Sequence, residues 1–174
     1  MHLLKLPTRV YESESKEFLK LISSGNGKEH VRIDFENSTY LTPLANVFLI
    51  VKILEWNNNS QKVDFINHKT CNNFKYLQRI NFFDNCGIKL DEDFTRHSSS
   101  GKFVEIKSLK RCDIGELSTE IAECIAPELS NEFDSNKLGF FNCIEYSISE
   151  LGNNTVQHAQ ASNFYVNGEY SSYP

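Results

Sequence analysis

"VRIDFENSTYLTPLANVFLIVKIL", Val31 to Leu54, sets two hydrophobic patterns side by side, and the change of pattern between them decides the fold class. From His30 to Phe35, the apolar residues Val31, Ile33 and Phe35 alternate with polar neighbours, which is the period of a strand with one face buried. Thr42 and Pro43 then form a helix start, a capping residue followed by a ring whose φ is already helical. From Leu44 to Trp56 apolar residues occupy most of the helical circumference, predicting a largely buried helix. Upstream, "YESESKEFLKLISSG" (Tyr11 to Gly25) spaces Phe18, Leu19 and Ile22 helically and stops at Gly25 and Gly27. Downstream, "QKVDFINH" (Gln61 to His68) reads as a second strand. "NFKYLQRINFFDNCG" (Asn73 to Gly87) reads as one further helix presenting Phe74, Leu77 and Ile80. Strands alternating with helices predict an α/β fold with a small, partly parallel sheet and right-handed crossovers.

"LDEDFTRHSSSGK" (Leu90 to Lys102) turns acidic, then serine-rich, then glycine-marked, and is the best boundary in the chain. After it, "FVEIKSL" predicts a strand, and "GELSTEIAECIAPEL" an amphipathic helix that Pro127 ends or kinks. "SNEFDSNKLG" is a second polar interruption. Leu138 to about Ala161 carries the longest helical pattern, with Leu138, Phe141, Ile144, Ile148 and Leu151 on one side. "NFYVNGEY" alternates like an edge strand.

The 174 residues are 40% hydrophobic, enough for a core, and 24% charged, with a formal net charge of −5. A mildly acidic chain without a basic run argues against nucleic acid as a partner, because phosphate binding needs clustered Lys and Arg. The most apolar run is interrupted by Lys52 and is shorter than the ~20 residues that span a bilayer, and the N-terminus lacks a signal-peptide pattern. The expectation is a cytoplasmic protein with no membrane partner. Five widely spaced cysteines without a CxxC pair are expected to be reduced.

The chemistry sits in "ELGNNTVQHA", Glu150 to Ala159. Glu150, Asn154 and His158 follow at i, i+4, i+8 and form one slightly spiralling stripe, opposite the apolar residues. A carboxylate, a carboxamide and an imidazole offer an acid/base group, an oxygen ligand suited to Mg²⁺ and a phosphate donor. Mg²⁺ usually takes one or two protein oxygens and completes its shell with water and phosphates. The same spacing also describes the solvated face of an amphipathic helix. Gly152, Asn153, Asn154 and Thr155 are poor helix formers, a local cost that commonly marks a site.

These residues resemble the N-box of the GHKL ATPases (gyrase, heat-shock chaperone, histidine kinase and MutL types), E-L-x-x-N-x-x-x-H/K/Y on the first long helix of the nucleotide-binding domain. The resemblance implies Glu150 as general base, Asn154 as ligand of the ATP-bound Mg²⁺ and His158 as a phosphate contact. Asn153 would be the second member of the adjacent asparagine pair found in one subgroup. The match covers Leu138 to Tyr170. The family's D-x-G-x-G box and glycine-rich lid follow its N-box, and neither is present here; "CDIGE" (Cys112 to Glu116) lies upstream and lacks the second glycine.

Residues 28 to 90, carried by the strand–turn–helix quoted first and by "YLQRINFF", resemble a STAS-like domain of the anti-sigma-factor-antagonist type. In switched members a serine opens the helix; here that position reads Thr42-Pro43-Leu44-Ala45. The two resemblances together imply a STAS-like domain over 1–95 and a linker strand and helix over 96–135. The first helix and strand of a GHKL α/β sandwich would then occupy 136–174. They imply a regulatory protein with ATP and Mg²⁺ as cofactors, not bound tightly by residues 1–174 alone, and a protein partner, and a homodimer stays open. ATPase or kinase-like activity is expected only if the missing boxes are supplied. The alternative is a non-enzymatic interaction module whose nucleotide site is vestigial or completed by a partner.

Other signals read more simply. His68 and Cys71 have ligand-like spacing but no second pair. The aromatics around Lys75 and Arg79 are expected in the core rather than stacked on bases. Cys143 reads as structural, His30 and His97 as solvated, and Asp34 as the cap of the turn that follows its strand.

Overall fold

The protein is described by a computed structural model covering residues 1–99, 102–110, 113–129, 137–159 and 164–169. It is a mixed α/β chain that divides into two compact units, Met1–Phe94 and Thr95–Pro174. The first unit has equal numbers of acidic and basic residues, so the formal charge of −5 resides in the second.

In the first unit, strands β1 (His2–Lys5), β3 (His30–Asp34) and β5 (Lys62–Ile66) form a parallel sheet in the order β1-β3-β5. Two very short strands, β2 (Arg9–Val10) and β4 (Tyr40–Leu41), pair in parallel beside it. Along β3 burial follows the predicted alternation: Val31 and Ile33 are fully buried, while His30 and Arg32 are partly exposed. Helices α1 (Ser15–Ser23) and α2 (Pro43–Asn58) pack against each other. Phe18 and Ile22 of α1 and Leu49, Ile50 and Ile53 of α2 belong to the core with Leu4, Val31, Ile33 and Phe35. Thr42 caps α2 as read: its hydroxyl oxygen accepts from the Ala45 amide at 3.3 Å, with Pro43 in the first turn. Leu44 and Val51 nevertheless stay exposed, so α2 is buried on fewer sides than its composition suggests.

Other features depart from the sequence reading. Strands β1, β2 and β4 were not foreseen, because two to four residues carry too little pattern to stand out. The helix expected over Asn73–Gly87 is two short ones, α3 (Phe74–Arg79) and α4 (Phe82–Asn85), broken where Asn81 takes a left-handed φ of 62°. Asparagine tolerates that conformation, and its use ends α3 while delivering Phe82 and Phe83 to the core.

Phe35, Phe65, Phe74 and Phe83 gather around His68, whose ring centroid lies 5.6 Å from that of Phe83 and 6.1 Å from that of Phe65. Burial among these rings, aided by the neighbouring Lys69 charge, lowers the His68 pKa below its ordinary 6.5. The unfolded chain therefore binds this proton more readily than the folded one. The His68 contribution is fully favourable above about pH 6.5 and is lost as pH falls from there through the lower folded value. Thermal unfolding should show a larger drop in Tm between pH 7.5 and 5.5 for the native chain than for His68→Phe. Equal drops would exclude His68 as the source.

The second unit is built from β6 (Phe103–Leu109), α5 (Ile114–Leu129), α6 (Lys137–Ala159) and β7 (Phe164–Glu169). Strands β6 and β7 pair antiparallel, Leu109 opposite Phe164 and Phe103 opposite Glu169, with a register shift between Val104 and Lys107. Helix α5 continues through Pro127 to Leu129. Val104, Leu109, Leu117 and Ile121 form the core, joined by Cys124, Ile148, Phe164 and Val166. Lys107 and Glu120 pair between β6 and α5.

Candidate functional site

Helix α6 spans the whole N-box-like stretch, so Glu150, Asn153, Asn154 and His158 sit on one continuous helix. Its inner side faces α5. Glu145 accepts a hydrogen bond from the Thr119 hydroxyl at 2.6 Å, and Ser149 and Ser118 join their hydroxyls at 2.9 Å. One turn further on, Gly152 is buried against Ile114, where a Cβ would stand 3.0 Å from Ile114 Cγ2. Close approach of two helices therefore accounts for Gly152 without any ligand, although its helix penalty had read as the mark of a site.

Glu150 and Asn154 point the other way. Both are exposed, and neither side chain has a hydrogen bond or ion pair among the described residues. Residues four apart on a helix have Cβ atoms about 6 Å from each other, close enough to serve one small ligand. Asn153 is half-buried, between the two faces. The His158 side chain lies outside the described part of the structure. The structure thus brings Glu150 and Asn154 to one solvent-facing strip with their polar atoms uncommitted. Leu151, expected on the apolar side, is 67% exposed, since α5 reaches Ile148 and Gly152 but not the residue between Glu150 and Gly152.

Beside that strip lies an open cleft of about 380 Å³ lined by α5, α6 and β7, including Ile114, Leu117, Ile148, Leu151 and Thr155. Its walls are mostly apolar. Asn167 is a polar lining residue that sequence reading passed over: its Nδ2 donates to the Val104 carbonyl at 2.8 Å, while its Oδ1 is buried without a partner among the described residues.

The remaining sequence signals resolve within the first unit. The Cys71 thiol has one proton and two acceptors within reach, the His68 carbonyl and Asn73 Oδ1, both at 3.0 Å, and burial raises its pKa. No group of three or more His, Cys, Asp or Glu suited to a metal ion occurs among the described residues. Asp34 Oδ1 accepts from the Glu36 amide at 3.0 Å, the turn-capping role read for it, and also from Asn67 Nδ2 at 2.9 Å. His30, read as solvated, instead bonds Asp64 at 2.7 Å. Phe82 and Phe83 are buried, as expected of aromatics belonging to the core. No helix among the described residues is long and apolar enough to cross a membrane.

Compared with family models, curated proteins and solved structures, the chain finds no match.

Proposed function

We infer that this chain is the N-terminal portion of a regulatory protein that reads nucleotide state. A STAS-like unit would meet a protein partner, and a GHKL-type unit would begin the binding site for Mg-ATP. The observation that carries this reading is the pair Glu150 and Asn154, in N-box spacing on a single helix, exposed and uncommitted. Such a donor set suits Mg²⁺ bound as its phosphate complex, where one carboxamide oxygen is enough and water and phosphates fill the other positions. It does not suit a metal caged by protein alone. Asn154 would hold the cation, with Asn153 and His158 beside it on the phosphate side. Glu150 would orient and deprotonate water in a hydrolysing form of the protein. Bound Mg²⁺ would supply neutralisation of phosphate charge.

Asn154→Ala tests the assignment. Calorimetric titration of the protein with ATP should show affinity falling by about tenfold or more in Mg²⁺ and staying unchanged in EDTA, since only the metal-borne contact is removed. Equal affinities of the two proteins in Mg²⁺ would remove Asn154 from the site.

A second reading, a non-enzymatic interaction module, is favoured by one specific observation. Gly152, whose helix cost reads as the mark of a site, is explained by packing on Ile114. The nucleotide site of that module would be vestigial or completed by a partner, so the chain by itself would bind no Mg-ATP, and the same titration separates the two.

A further inference from the structure

The first unit's sheet presents its two faces very differently. Aligned residues of parallel neighbours share a face, and the register puts Leu3, Arg32 and Asp64 in one row. Lys5, Asp34 and Ile66 form the next row, and His30 and Lys62 flank the first on its other side. Leu4, Val31 and Ile33 point to the opposite face and are fully buried. Because α1 and α2 pack side by side and their buried residues share that core, both helices cover one face. On the other, Leu3 is 45% and Lys62 67% exposed, while Asp34, beside the loop that holds it, is buried. Parallel sheets are almost always covered on both faces, and the described helices of this unit supply a layer on one.

The charges on this open face are unevenly satisfied. Asp64 is committed to His30 at 2.7 Å and Lys62 at 3.4 Å, and the His30 bond holds its carboxyl below the ordinary value. Asp34 is occupied by Asn67 and the Glu36 amide. Neither Lys5 nor Arg32 has an ion pair among the described residues, and Arg32 Nε is buried without a hydrogen-bond partner. Arg32 lies on the central strand, at the middle of the face. A buried guanidinium nitrogen left unpaired is costly, and a carboxylate is its natural complement.

We propose that this face docks one short amphipathic helix of a partner polypeptide, with an acidic side chain on Arg32 and apolar ones over Leu3 and Ile66. Size selects a helix. Three strands about 4.8 Å apart and five residues long at ~3.3 Å each make a patch roughly 15 Å square. A helix of about ten residues, ~15 Å long and 10–12 Å wide, covers it. A globular partner or a second copy would need on the order of 800 Å² per side, several times this patch. Chemistry disfavours nucleic acid, since two carboxylates sit on the face and none of the strand residues named on it is Phe, Tyr or Trp. The inference does not depend on the nucleotide reading.

The experiment is an NMR titration of the ¹⁵N-labelled chain with a synthetic helical peptide of about three turns carrying Leu and Glu along one side. A control peptide has every Glu replaced by Lys. Saturable amide shifts confined to β1, β3 and β5 are expected with the first peptide and not with the second. Arg32→Glu should weaken binding by about tenfold or more. Lys62→Glu, at the well-exposed rim, should weaken it less and keep the fold if the central variant does not. Absence of shifts on this face, equal binding of the lysine peptide, or unchanged affinity in both variants would overturn the proposal. So would concentration-dependent shifts of the same amides without peptide, which would assign the face to a second copy.

Discussion

Substituting alanine at Gly25 will destabilise the first unit by about 2–3 kcal/mol, a large share of the ~5–15 kcal/mol that holds a domain folded. The added Cβ would stand 2.6 Å from Trp56 Cζ2 and 3.1 Å from two further indole atoms. Neither side can yield cheaply. Trp56 is fully buried and its Nε1 donates to Asn26 Oδ1 at 3.0 Å. The Gly25 carbonyl is itself held by Gln61 Nε2 at 2.9 Å. Gly25 is needed for the space it leaves, unlike Gly27, which has open surroundings but a φ of +68°. Trp56 is the only tryptophan in the chain, so its fluorescence reports this unit alone. In urea the midpoint should fall with the slope unchanged. An unmoved midpoint would mean that the indole slides aside freely and that the close packing is not a constraint.

Phe35→Ala is expected to cost more, about 3–5 kcal/mol, because a fully buried ring is removed and the cavity cannot be closed by its neighbours. The ring centroid lies 5.3 Å from that of Phe65 and 6.2 Å and 6.3 Å from those of Phe82 and Phe83, in tilted and edge-on arrangements that add to simple burial. Its centroid is also 6.5 Å from that of His68. Losing it should admit water to the imidazole and raise the His68 pKa back toward the ordinary value, which an NMR pH titration reads directly. Urea unfolding measures the stability loss. A loss well under the expected range together with an unmoved His68 pKa would show that the cluster refills the space.

Where local pattern and tertiary role coincide, the structure matches the reading of the sequence. The strand at His30 shows because Val31, Ile33 and Phe35 all serve one buried face, and α2 shows because Thr42 and Pro43 act on their own neighbours. Strand β1 exists through its pairing with β3, which four residues cannot announce. The break at Asn81 is one residue's dihedral angle, invisible to a count of apolar spacing. On α6 the helical stripe of Glu150 and Asn154 was legible, being a matter of geometry alone. That their side chains lack partners among the described residues was not legible, nor was the reason for Gly152, since both depend on where α5 lies. Asn167 escaped notice because an isolated asparagine in a strand carries no pattern, and only the cleft around it gives it meaning.

The pairing of β6 with β7 has a consequence for biosynthesis. All parts of the first unit have been translated once Phe94 emerges, whereas β6 waits for a partner strand that ends at Glu169. From Leu109 to Glu169, at roughly 5–20 residues per second, that wait lasts on the order of 3–12 s. During it Val104 and Leu109 on β6, and Leu117 and Ile121 on α5 once they are made, lack the strand that completes their core. On the ribosome the second unit is therefore the one exposed to chaperones and to misassociation, and slowed translation there would penalise it while sparing the first.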